Sequence, residues 1–143
     1  MSLFERLFGK PSKHGAITSF ENVTLHTSGM RAALTYKIVM NGDKAEILQY
    51  DGFRSEDEDR GPSKRAECSE ARILKLLNDC RVFGWDGFYG KHPKHVRDGT
   101  TFRFEAFVNG CKRISASGSQ NFPKHYGEFT EGIRVILSDP GET

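Results

Sequence analysis

The stretch TFRFEAFVNGCKRISAS, residues 101–117, decides the fold. Phe102, Phe104, Ala106 and Val108 occupy every second position, with Arg103 and Glu105 between them. A strand points successive side chains to opposite faces, so this spacing separates an apolar face from a charged one. Asn109-Gly110 then breaks the pattern with a dipeptide that readily adopts the positive φ of a tight hairpin. The reading predicts a strand over 101–108, a two-residue turn, and a return strand over 112–117. The same arrangement occurs upstream, where Leu34, Tyr36, Ile38 and Met40 alternate with Thr35, Lys37 and Val39, Asn41-Gly42 follows, and residues 44–50 return. Rougher alternation from Ile17 to Leu25, ending at Thr27-Ser28-Gly29, predicts a first strand.

Two segments carry the period of a helix instead. Ser69 is placed to cap a helix whose Ile73, Leu76, Leu77 and Cys80 fall at i, i+3, i+4 and i+7, with Leu74 widening the stripe and an end expected near Arg81. Pro123 reads as the first residue of a second helix, along which Tyr126, Phe129, Ile133, Ile136 and Leu137 share a face until Asp139-Pro140-Gly141 stops it. Residues 51–67 read as a charged surface loop around Glu56-Asp57-Glu58-Asp59, flanked by Arg54, Arg60, Lys64 and Arg65. Residues 82–99 hold too many glycines and prolines for a long regular element and read as a structured connection. The expected fold class is therefore α+β: an antiparallel β meander built from two β-β-α units, with both amphipathic helices on one face. Whether the two halves descend from a duplication is left open by the pattern.

Composition narrows the classes. At 143 residues the chain suits one domain, expected over residues 16–139 and preceded by an N-terminal stub and linker over 1–15. In the stub Leu3, Phe4, Leu7 and Phe8 share a helical face, short enough that docking on the domain or simple fraying is favoured over contact with a membrane surface. Charged residues make up 28% and apolar ones 36%, a globular composition rather than a disordered one. Twenty-one Lys and Arg against nineteen Asp and Glu leave +2, too even a balance to imply nucleic acid. Cys68, Cys80 and Cys111 are odd in number and widely spaced, so neither a disulfide framework nor a metal knuckle is expected, and a reducing, cytoplasmic setting fits. No stretch has the length of a transmembrane segment or the form of a secretory leader.

Trp85-Asp86-Gly87-Phe88, Asp98-Gly99-Thr100 and Ser117-Gly118-Ser119-Gln120-Asn121-Phe122-Pro123 together resemble a family of small uncharacterised bacterial proteins that share W-D-G-F, D-G and S-G-S-x-x-F/Y-P elements. The resemblance covers residues 74–137. It implies a compact single domain and no established reaction. Similar sequences carry Asn where Gln120 stands and an acidic residue after the proline, whereas Lys124 and His125 follow here.

Several groups invite a functional reading. Ser117, Ser119, Lys124 and His125 would form an anion site if they gathered at the N-terminus of the second helix, where free N–H groups meet the positive end of the dipole; helix capping is the competing explanation. Trp85, Phe88 and Tyr89 have the makings of an interaction patch, or of a core plug. His92 and His95 with Asp86 and Asp98 are metal-ligand types, but Pro93 spoils the spacing, and no metal or cofactor is expected. Asp51, Asp86 and Asp98 each precede Gly and so read as turn residues rather than as an acid and a base. Cys111, beside Lys112 and Arg113, is the best-placed nucleophile of the three thiols, without a histidine assigned to it. Lys91, Lys94, Arg97 and Lys124 could make a basic surface. The balance favours a non-catalytic binding or interaction domain with a protein partner or a second copy. The alternative is an enzyme or anion binder using the Ser117–His125 turn with Asp86 or Asp98.

Overall fold

A computed structural model of the protein describes residues 16–29, 32–52, 61–96 and 99–138. The stub over 1–15, the acidic run Glu56–Asp59, Arg97 and Asp98, and the Asp139-Pro140-Gly141 stop lie outside them. Seven strands form one sheet: β1 (Phe20–Ser28), β2 (Ala33–Asn41), β3 (Lys44–Asp51), β4 (Lys64–Ser69), β5 (Tyr89–Gly90), β6 (Thr101–Val108) and β7 (Lys112–Ser119). Their order across the sheet is β4-β3-β2-β1-β6-β7-β5. Every neighbouring pair is antiparallel except β5 with β7, so the α+β class holds while the sheet is mixed. Helix α1 (Glu70–Asp79) follows β4, and α2 (Tyr126–Ser138) follows β7. Four strands thus precede the first helix and three the second. Among the described residues no helix is long and apolar enough to cross a membrane.

Two strands are absent from the sequence reading: the two-residue β5, inside the expected 82–99 connection, and β4, which begins at the end of the expected 51–67 loop and runs on to Ser69. Only Ala66 and Cys68 mark the inner face of β4, two small residues within a charged run, and both are buried. What holds it is tertiary: it covers the edge of β3, satisfies that strand's backbone, and places Arg65 against Glu46.

Both hairpin turns form, each with a different loop from the one expected. At the first, Asn41 pairs with Lys44, leaving Gly42-Asp43 as the loop with positive φ only at Gly42, which suits a glycine in the first position. That register sets Ile38 opposite Ile47, both buried. At the second, Val108 pairs with Lys112, and Asn109, Gly110 and Cys111 make a three-residue loop. A two-residue loop would slip β7 by one position and turn Arg113 and Ser115 inward; the third residue keeps Ile114 and Ala116 in the core.

Each helix has a local cause. Ser69 caps α1, its hydroxyl accepting from the Arg72 N–H at 3.2 Å, and Ile73 and Leu77 are buried beneath it. Helix α1 stops at Asp79, two residues earlier than expected, because Arg81 turns to φ +56° and a short 3-10 helix, Val82–Trp85, begins. Helix α2 begins at Tyr126 rather than at Pro123, since His125 takes φ +70° and breaks the helical run just before it. Between sheet and helices lies an aromatic core. Trp85 meets Phe104 edge-on at 5.0 Å and Phe129 at 5.5 Å, and its indole N–H donates to the Lys124 carbonyl at 3.0 Å. Phe102, Phe122 and Tyr126 continue this layer. Gly118 must be glycine: a Cβ there would stand 2.3 Å from the Asn121 carbonyl oxygen, which crosses under β7.

The N-terminal end of the described chain is fastened from two sides. Asn78 accepts from the Ile17 N–H at 2.8 Å and donates to the Ile17 carbonyl at 2.9 Å. Asn109 of the hairpin loop accepts from the Thr18 N–H at 2.7 Å and donates to the Ala16 carbonyl at 3.1 Å. Its side chain therefore serves a second purpose beyond the turn.

Candidate functional site

All helices lie on one side of the sheet, so the alternate residues of every strand form an open face. Strand register places them in rows. One row runs Tyr50, Thr35, His26, Arg103, Ser117 and Tyr89 across six strands, each pair opposite in the ladder. The row beside it holds Ser28, Thr101 and Ser119. At their end a concavity of about 460 Å³ is lined by residues of both, including His26, Ser28, Tyr89, Thr101, Arg103, Ser117 and Ser119.

The side chains around this concavity hold one another in place. His26 Nδ1 lies 2.8 Å from the Thr35 hydroxyl, and the Ser28 and Thr101 hydroxyls are 2.9 Å apart. His92 bonds Ser119 of the lining. The Val96 carbonyl, 2.5 Å from its Nε2, can only accept, so that nitrogen donates, and Nδ1 shares a hydrogen bond with the Ser119 hydroxyl at 2.7 Å. Serine and threonine hydroxyls supply both donors and acceptors, and Arg103 supplies donors alone. Tyr89 stands at the rim, 76% exposed, with a ring face available to a ligand.

Charge is what distinguishes the centre. On the same face Arg113 pairs with Glu105 at 2.6 Å, and Arg65 pairs with Glu46. Arg103, between His26 and Ser117, has no carboxylate partner among the described residues, while its nearest candidate on the strand, Glu105, is taken by Arg113. A guanidinium whose fork of N–H groups meets no carboxylate among the described residues, set among hydroxyls, matches a carboxylate or a phosphate.

The residues singled out from the sequence are divided by the fold. Ser117 and Ser119 do line the concavity. Lys124 and His125 lie at the start of α2, on the side of the sheet that carries the helices; His125 pairs with Glu128 at 2.6 Å, and the Lys124 carbonyl accepts the Trp85 indole N–H. The four are not brought together. Trp85 is core, Phe88 is half-buried against Phe102, and only Tyr89 of that trio faces outward. Asp86 accepts from the Ser115 N–H at 2.9 Å and from Lys112 at 3.0 Å. Burial alone would raise its carboxyl, but these two donors and the nearby Arg113 outweigh that and hold it below its ordinary value. It is the clasp of the W-D-G-F turn, and Lys112 spends its charge there rather than on Cys111. His92 bonds Ser119 instead of joining His95, and among the described residues no three His, Cys, Asp or Glu side chains gather. Asp51 lies on β3, where Gln49 donates to it at 3.1 Å.

His26, Ser28, Thr101 and Arg103 belong to the site without having been singled out. Their signal was the polar half of each alternating strand, which by itself reads as solvated surface. No protein-family model, curated protein or solved structure matches the chain.

Proposed function

We propose that this protein is a non-catalytic binding domain whose open sheet face takes the anionic end of a small polar ligand. The observation that carries this reading is Arg103: an arginine without a carboxylate partner among the described residues, set in a hydroxyl-lined concavity of about 460 Å³. Two features support binding rather than turnover. Among the described residues Glu105 is engaged by Arg113, and Asp86 by Ser115 and Lys112. The serines and threonines hydrogen-bond to each other and to histidines, an arrangement that orients donors and acceptors around a guest.

An amide NMR titration with inorganic phosphate, and separately with acetate, tests it. The amides of His26, Arg103, Ser117 and Ser119 are expected to shift together, while those of α1 and α2 stay fixed. Arg103→Gln should weaken the stronger of the two anions at least about tenfold, the loss of one charge-assisted hydrogen-bonded pair. Shifts centred on Lys124 and His125, or an unchanged affinity in Arg103→Gln, would remove the site from the open face.

A further inference from the structure

On the side opposite the candidate site a groove of about 500 Å³ runs between α1 and α2. Its lining is apolar at the centre, with Leu76 from α1 and Val135 and Ile136 from α2. The two helices meet at Gly132, so closely that a Cβ there would come within 2.5 Å of Leu76 Cδ1. One turn along, Val135 is 46% exposed. Along the rims Lys75 pairs with Asp79, and Glu131 with Arg134, each at 3.0 Å, and Glu128 pairs with His125. What this surface lacks is apolar cover.

We propose that the N-terminal segment of the same chain supplies it, laying Leu3, Phe4, Leu7 and Phe8 into the groove. Two independent facts converge on this occupant. The first is its pattern: those four residues fall on one face at helical spacing, as an amphipathic segment must to fill a helix–helix groove. The second is where the described chain begins. Asn78 clamps both the N–H and the carbonyl of Ile17 to the end of α1, one residue from Asp79 on the groove's rim. The eight steps from Phe8 to Ala16 reach about 26–29 Å when extended, and the ten residues of α1 are about 15 Å long, so the tether spans the whole groove. Tethering at that range gives an effective concentration of roughly millimolar, an advantage no separate partner with the same apolar face has.

A nitroxide at position 2 of the full chain tests the docking, using Ser2→Cys in a Cys111→Ser background, since Cys68 and Cys80 are buried. Amides of Leu76, Gly132 and Val135 are expected to lose most of their intensity, and those of His26 and Ser117 on the opposite face to keep theirs. Adding Leu7→Asp with Phe8→Asp should restore the lost signals. The proposal is overturned if no groove amide broadens, or if broadening survives the two aspartates. It is equally overturned if broadening arises only between chains, seen when spin-labelled unenriched protein is mixed with enriched protein lacking the label; the groove would then belong to a second copy.

Discussion

On β6, Phe102, Phe104, Ala106 and Val108 look toward the helices and are buried, whereas Thr101, Arg103, Glu105 and Phe107 look the other way and meet water to differing degrees. Both sets come from one strand of eight residues. The inner set is held by packing: Phe104 is 0% exposed and touches the rings of both Trp85 and Phe129. The outer set is positioned by register, with the Thr101 hydroxyl bonded to Ser28 and Glu105 paired with Arg113. On the proposed reading stability resides on one face and recognition on the other, so a change on either should leave the other's property largely intact.

The largest expected effect tests that separation directly. Phe104→Ala removes a fully buried ring and should cost about 3–5 kcal/mol in denaturant unfolding, while Phe107→Ala, three positions along but on the open face, should cost within about 0.5 kcal/mol. A loss at Phe107 approaching that at Phe104 would mean the open face is covered in solution, and the comparison would fail.

Asp86 sharpens the contrast between clasp and site. Its carboxyl sits below its ordinary value, so the stabilisation it gives is full above the unfolded pKa of roughly 4 and fades as pH falls through the lower folded value. Asp86→Ala is expected to cost about 0.5–1 kcal/mol near neutrality, solvent screening keeping the figure small, and to converge on the parent protein as acid is added. Unfolding curves at neutral and strongly acidic pH check the sign. A cost that grows with acid would contradict the depressed carboxyl.

The smallest effect is read by the cysteines. Burial raises the Cys68 thiol, and burial with Glu128 and Asp79 nearby pushes Cys80 up to about 11, whereas Cys111 is exposed on the hairpin loop. A thiol reagent at mildly alkaline pH should modify Cys111 at once and the other two only on unfolding, with no change in anion binding on the open face. Rapid reaction of Cys80 would show that α1 loosens from the sheet far more often than its packing implies.

Much of this was legible because local chemistry and tertiary need agreed. The 101–108 alternation, the Ser69 cap and the stripe through Ile73 and Leu77 each specify an element by a rule that acts within a few residues, and the structure keeps all three. β4 was not legible: Ala66 and Cys68 carry too little hydrophobic signal against Lys64, Arg65 and Glu67, and the edge of β3 that recruits them lies elsewhere in the chain. The site divided the same way. Ser117 and Ser119 were within reach of sequence reasoning, but their expected companions Lys124 and His125 are close only in sequence.

The sequence by itself determined which residues face inward along β6 and α2, because the periods of strand and helix are properties of the backbone. Only the tertiary structure decided that Arg103 lies between His26 and Ser117 while Arg113 takes Glu105. That pairing depends on a three-residue loop rather than a two-residue one, and on β1 entering the centre of the sheet. Register joins residues that are 77 and 14 positions apart, and no rule acting within a few residues can specify such a match.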